Sequence, residues 1–146
     1  MNKPTIKDFI LFMNKYGKII LNIALCFLML VYSWVAIWNG FPLLFTDSLS
    51  YMVSGHDLIA PVDRPIFYGI FIRTFSLLGG LWGVVLAQAL LVICLLSWLA
   101  NVVAPKISRS EKLIWLIFVG LCTSVTWFVS QISADIFTAC LYLTLI

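Results

Sequence analysis

Six acidic residues occur in the sequence, and four of them, Asp47, Asp57, Asp63 and Asp135, lie outside its basic stretches. Asp47, His56, Asp57, Asp63 and Arg64 fall within eighteen residues, and Asp135 follows Asp47 by 88 positions. A carboxylate can take a proton from a hydroxyl or help to hold a cation. A guanidinium offers a forked set of donors that fits a phosphate. Asp47 and Asp135 could therefore border one water-filled cavity between helices; alternatively, Asp47 opens a helix and Asp135 is a solvated turn residue. Arg64, directly before Pro65, could bind a phosphate, pair with Asp57 or Asp63, or reach up to lipid headgroups. His56 has no partner at metal-ligand spacing and reads as a solvated loop residue beside Asp57. Nucleophile-elbow, P-loop, HExxH and dinucleotide-binding patterns are all missing.

These residues must be positioned by elements that are overwhelmingly apolar. Of 146 residues 63% are apolar and 10% charged, with a mean hydropathy of +1.10. A soluble domain needs roughly a quarter of its residues charged to cover its surface, so the composition predicts an integral membrane protein. Cys26, Cys94, Cys122 and Cys140 are widely spaced in apolar runs and outline neither a zinc site nor a disulfide framework. The expected fold is an all-α membrane protein with three complete transmembrane helices, the start of a fourth, and two interfacial helices in the first non-cytoplasmic loop. The spans are read at 19–38, 81–103 and 113–132, each uncharged and 20 to 23 residues long, against roughly 20 needed for a 30 Å core. No small-x-small cleavage site follows Trp38, so the first span reads as an uncleaved anchor.

Residues 1–18 carry four lysines around Phe9–Met13 and read as a cytoplasmic amphipathic segment. In the 39–80 loop, Thr46-Asp47-Ser48 resembles a helix start that Gly55 would end, and Pro65 opens a second short helix. Residues 104–112 form a basic turn, and 136–146 begin a further apolar element that stops short of a span. The chain thus reads as a fragment or a truncated frame. Basic residues concentrate in 1–18 and 104–112, which places both in the cytoplasm and leaves Asp47, His56, Arg64 and Asp135 on the opposite face. With so few basic residues, nucleic-acid binding is not expected.

The order of features then becomes recognisable. A basic N-terminus and a span lead to Phe45-Thr46-Asp47-Ser48-Leu49-Ser50-Tyr51, then Asp63-Arg64-Pro65-Ile66-Phe67-Tyr68-Gly69, Gly79-Gly80, a second span, and Ser133-Ala134-Asp135-Ile136-Phe137. This resembles the N-terminal part of GT-C-type glycosyltransferases, the polytopic superfamily of protein mannosyltransferases and aminoarabinose transferases. Those enzymes take sugars from polyprenyl-phosphate carriers. The resemblance implies Asp47 as the catalytic base and Arg64, Tyr68, Asp135 and His56 as candidate substrate-binding residues, with Arg73 a weaker candidate for the phosphate. It also implies a possible divalent cation at Asp47 and Asp135, an unknown acceptor, and a bacterial inner membrane. Ser48 stands where protein mannosyltransferases carry a second acid, and Ile66 replaces a second proline. Only the first third of such an enzyme is covered, so activity of this chain alone is not expected. The competing readings are a small non-catalytic membrane protein or remnant, and a transporter or flippase fragment. The charge-free spans argue against the transporter.

Overall fold

The computed structural model describes residues 6–62 and 64–145. The amphipathic reading of 1–18 rests on residues 1–5 and on side chains up to residue 16, which lie outside the described residues, as does Asp63. Among the described residues the order is α1 (Ile6–Tyr32), α2 (Trp34–Asn39), β1 (Leu43–Leu44), α3 (Ser48–Asp57), α4 (Phe67–Ser76), α5 (Leu81–Val103), α6 (Arg109–Cys122), α7 (Val125–Ser130), β2 (Gln131–Ile132) and α8 (Asp135–Thr144).

The expectation of three complete spans is overturned. One described helix, α5 with 23 residues, is long and apolar enough to cross a membrane. The run read as 19–38 is broken at Ser33, whose Oγ donates to the Met29 carbonyl at 2.5 Å. The apolar part of α1, Gly17–Tyr32, is shorter than a span, and α2 adds only 6 residues beyond the break. The run read as 113–132 is broken at Thr123. Its Oγ1 donates to the Val119 carbonyl at 2.7 Å and accepts from the Val125 N–H at 3.3 Å. That leaves α6 with 14 residues, about 21 Å of helix against roughly 30 Å of hydrocarbon. Hydropathy along a window counts apolar side chains and is blind to a hydroxyl that competes for backbone acceptors. The last apolar stretch forms α8, with 10 residues.

The two short helices of the 39–80 loop are α3 and α4, with different ends from those expected. The N-cap position of α3 is Asp47 rather than Thr46, and its side chain makes no capping bond. Gly55 does not end the helix, which runs on to Asp57 and stops at Leu58 in the left-handed conformation, φ 57°. What Gly55 provides instead is a close approach. It faces Gly69 of α4 so tightly that a methyl group on either would run into the other's backbone. Arg73 of α4 then reaches back and donates to the carbonyls of Gly55 and His56 at 3.2 and 2.6 Å. A cation thereby satisfies the open carbonyls at the negative end of α3.

α5 is the axis of the molecule. Val84, Val85, Ala89, Val92, Ile93 and Leu96 are buried along it, and α1, α4, α6, α7 and α8 all pack on it. The two strands are parallel neighbours, Leu43 beside Gln131 and Leu44 beside Ile132. Two-residue strands carry no readable alternation, and none was expected. Their pairing nevertheless sets the site, because each strand feeds an aspartate and then a helix.

Candidate functional site

Asp47 and Asp135 each stand three residues beyond the end of a strand, Leu44 or Ile132, and those strands pair in register. The pairing brings both acids to one end of the molecule, near the start of α5. Ser48 reinforces the arrangement. Its Oγ accepts from the Phe45 N–H at 2.8 Å and donates to the Ile132 carbonyl at 2.6 Å, pinning the start of α3 to β2.

Arg64 comes to Asp47 across the loop between α3 and α4, with Nη1 2.9 Å from Asp47 Oδ1. The Arg64 side chain is 24% exposed and that of Asp47 41%, so solvent reaches the pair from one side. The guanidinium also lies over the Tyr51 ring, Cζ 5.5 Å from its centroid, an arrangement that the ring quadrupole favours. Tyr51 meets Tyr68 edge-on at 5.1 Å, and Phe137 meets Tyr68 in the same way at 5.4 Å. Tyr68 therefore sits between the Arg64 side of the site and the first turn of α8, where Asp135 lies.

The Tyr68 hydroxyl donates to Gln88 Oε1 at 2.8 Å in a buried contact. Burial is the main force pushing the Tyr68 phenol up from its ordinary value. A hydrogen bond with the Ser133 backbone pulls it down, and Tyr51 and Asp135 push it up further. Tyr68 is consequently a neutral donor at every physiological pH, suited to positioning and not to proton abstraction. Gln88, entirely buried in α5, donates from Nε2 to the carbonyls of Val129 and Gln131 at 2.9 and 3.0 Å. It is the hub that joins α4, α5, α7 and β2. In the sequence Gln88 was visible only as a polar interruption of an apolar span, with nothing to indicate its partners.

The remaining candidates separate from this cluster. Asp135 is exposed; its Oδ2 accepts from Ser133 Oγ at 2.8 Å, and its N–H donates to the same oxygen at 3.3 Å. His56 lies at the far end of α3 from Asp47, about 13 Å along the axis at about 1.5 Å per residue. Its Nδ1 is 2.8 Å from Asp57 Oδ1, with the imidazole 87% exposed. His56 is thus not brought to the Asp47 site. Neither Asp57 nor His56 is the carboxylate or cation partner in the Asp47–Arg64 pair, and Arg73 is committed to the end of α3. Among the described residues no group of three or more His, Cys, Asp or Glu side chains is placed to hold a metal ion.

No family model matches the chain, and comparison with the curated proteins and with solved structures returned no match. A cleft of about 540 Å³ opens beside the Asp47 end of the molecule on the outer side of α3, lined by Thr46, Leu49, Ser50, Val53, Ser54 and Asp57 among others. Thr46 connects that largely apolar cleft to Asp47.

Proposed function

We propose that α5 crosses a membrane and that the Asp47–Arg64 end transfers a sugar from a polyprenyl-phosphate carrier to an acceptor hydroxyl. The observation that carries this reading is the 2.9 Å contact between Arg64 and Asp47, with Tyr51 and Tyr68 packed behind it. The donor phosphate would compete with Asp47 for the guanidinium. Once Arg64 holds the phosphate, the Asp47 carboxylate is released to accept a proton. The acceptor oxygen then bonds to the anomeric carbon, the bond from that carbon to the phosphate oxygen breaks, and the acceptor proton passes to Asp47. Arg64 stabilises the departing phosphate. The apolar cleft beginning at Thr46 suits the first units of the carrier chain.

The orientation belongs to the same proposal. α1 and α6 run side by side, with the Tyr32 hydroxyl donating to the Leu116 carbonyl at 3.0 Å. Further along, Trp34 Nε1 donates to Thr126 Oγ1 at 3.2 Å, and then Leu43 pairs with Gln131. The start of α1 therefore lies at the same end as the basic 104–112 turn, which supports a cytoplasmic N-terminus and an Asp47 site on the other face.

The test is Asp47→Asn in the intact protein in its membrane. Loss of a positioned base costs roughly 10²- to 10⁴-fold in rate, so sugar transfer should fall below detection while insertion is unchanged. Normal transfer by that variant removes Asp47 from the mechanism. The same ion pair favours a second reading, a non-catalytic membrane protein in which Asp47 and Arg64 only tie the loop to β1. Absence of carrier-sugar turnover by the unsubstituted protein would select it.

A further inference from the structure

At the opposite end of α5 the chain turns back into α6 and leaves an apolar cleft of about 170 Å³. It is lined by Leu99, Ala100, Val103, Ala104, Ile107 and Trp115. Two local ties hold it in shape. The Glu111 carboxylate accepts from the Ser108 N–H at 2.8 Å while Ser108 Oγ accepts from the Glu111 N–H at 3.2 Å, closing a capping box at the start of α6. Lys112 Nζ donates to Asn101 Oδ1 at 3.0 Å, fastening α6 to the end of α5.

These ties use up the one acid of the turn and one of its three cations. Lys106, which lies between the lining residues Ala104 and Ile107, and Arg109, the first residue of α6, are both exposed. Neither makes an ion pair among the described residues. The cleft is thus apolar inside, and the turn that closes it carries two exposed cations. Trp115, half-buried in its wall, is a side chain suited to the boundary between hydrocarbon and headgroups. A second copy of this chain would need anions to meet those cations, and only six acids exist in the whole sequence.

We propose that this cleft binds an anionic glycerophospholipid, one acyl chain lying along Leu99, Val103, Ile107 and Trp115 and the headgroup phosphate on Lys106 and Arg109. The proposal rests on the placement of α5 in a bilayer and is independent of sugar transfer.

The experiment reconstitutes the full chain in phosphatidylcholine vesicles containing a small fraction of phosphatidylglycerol or phosphatidylcholine with brominated acyl chains, and reads tryptophan quenching. Brominated phosphatidylglycerol should quench more than its phosphatidylcholine counterpart, and Trp115→Phe should abolish the excess. Lys106→Gln and Arg109→Gln, on an exposed turn outside the core, should each raise the half-saturating lipid fraction by about fivefold. Equal quenching by the two headgroups overturns the proposal, as does an excess that survives removal of both cations. Trp115 shielded from both lipids in a dimeric preparation assigns the cleft to a second copy and also overturns it. If neither lipid quenches any tryptophan, the bilayer placement of α5 fails and the lipid site falls with it.

Discussion

α1, α2 and β1 lead into Asp47 and α3 in the same order in which α6, α7 and β2 lead into Asp135 and α8. Each arm has a longer helix broken at a hydroxyl residue, a helix of 6 residues, a strand of 2 residues, and an aspartate at a helix start. The parallel pairing of the strands delivers both carboxylates to one end. They differ in how each acid is satisfied. Asp135 is held by Ser133, two residues earlier in its own turn, a local bond that any isolated segment could form. Asp47 has no such bond and draws its partner, Arg64, from the far side of α3. A carboxylate satisfied locally needs nothing from the rest of the fold, whereas one paired at long range gives up its cation when a stronger anion competes for it. That difference favours Asp47 over Asp135 for the proposed proton-accepting role.

The largest effect is expected at Gln88, which ties the Asp135 arm to α4. It bonds to Tyr68, which packs on the Asp47 side, and to the carbonyls of Val129 and Gln131 in the Asp135 arm. Gln88→Leu leaves a phenol and two carbonyls without that partner in a buried site. The Ser133 backbone still bonds Tyr68 and the Gln131 carbonyl, so the Val129 carbonyl is the group left without a partner. At about 1–3 kcal/mol for a buried group left unpaired, the loss should be about 2–3 kcal/mol. Thermal unfolding in detergent measures it. A loss under about 1 kcal/mol would mean that the Asp135 arm and α4 are held together by apolar packing alone.

Tyr68→Phe acts on the same junction with a smaller effect. Near neutral pH it leaves Gln88 Oε1 without the phenol and should cost about 1–2 kcal/mol. The pH dependence runs the other way. Burial raises the folded-state Tyr68 above its ordinary value of 10.0, so its contribution is fully present below pH 10 and is lost as pH climbs beyond that. The phenylalanine variant has no such loss. Unfolding curves of the two proteins should therefore converge above pH 10. A gap that stays constant to pH 11 would show that the Tyr68 phenol ionises as easily in the folded chain as in the unfolded one.

How much of this was legible in the sequence depends on what kind of bond does the positioning. α5 could be read because an uncharged apolar run is bounded by Gly79-Gly80 and Pro105, and no side chain within it turns on its own backbone. The two short loop helices could be read from Thr46-Asp47-Ser48 and Pro65. In the 19–38 and 113–132 runs Ser33 and Thr123 look like tolerable polar interruptions, yet a helix breaks at each. Whether a hydroxyl stays in the helix or ends it depends on tertiary contacts such as Trp34 with Thr126. The Arg64 partner was illegible for a similar reason. Asp57 is nearer in sequence, yet its carboxylate meets His56, while the Asp47 carboxylate meets the guanidinium from seventeen positions away. Gln88 is the extreme case, since its three partners come from α4, α7 and β2, and that meeting leaves no periodic trace.

The smallest effect separates the two aspartates themselves. Asp47→Asn removes a partly exposed ion pair, which is worth about 0.2–1 kcal/mol. Arg64 keeps its place over Tyr51, so the loop should stay folded. Asp135→Asn preserves an oxygen acceptor for Ser133 Oγ and should change stability by less than about 0.5 kcal/mol. Salt makes the distinction sharper than magnitude does. Screening weakens an ion pair but acts far less on a carboxylate bonded to a neutral hydroxyl within one turn. Melting curves at low and high ionic strength should therefore show the Asp47→Asn deficit shrinking with salt while the Asp135→Asn difference stays fixed. A salt-sensitive Asp135→Asn would mean that Asp135 also answers to a distant cation, and the contrast between a locally held and a long-range acid would disappear.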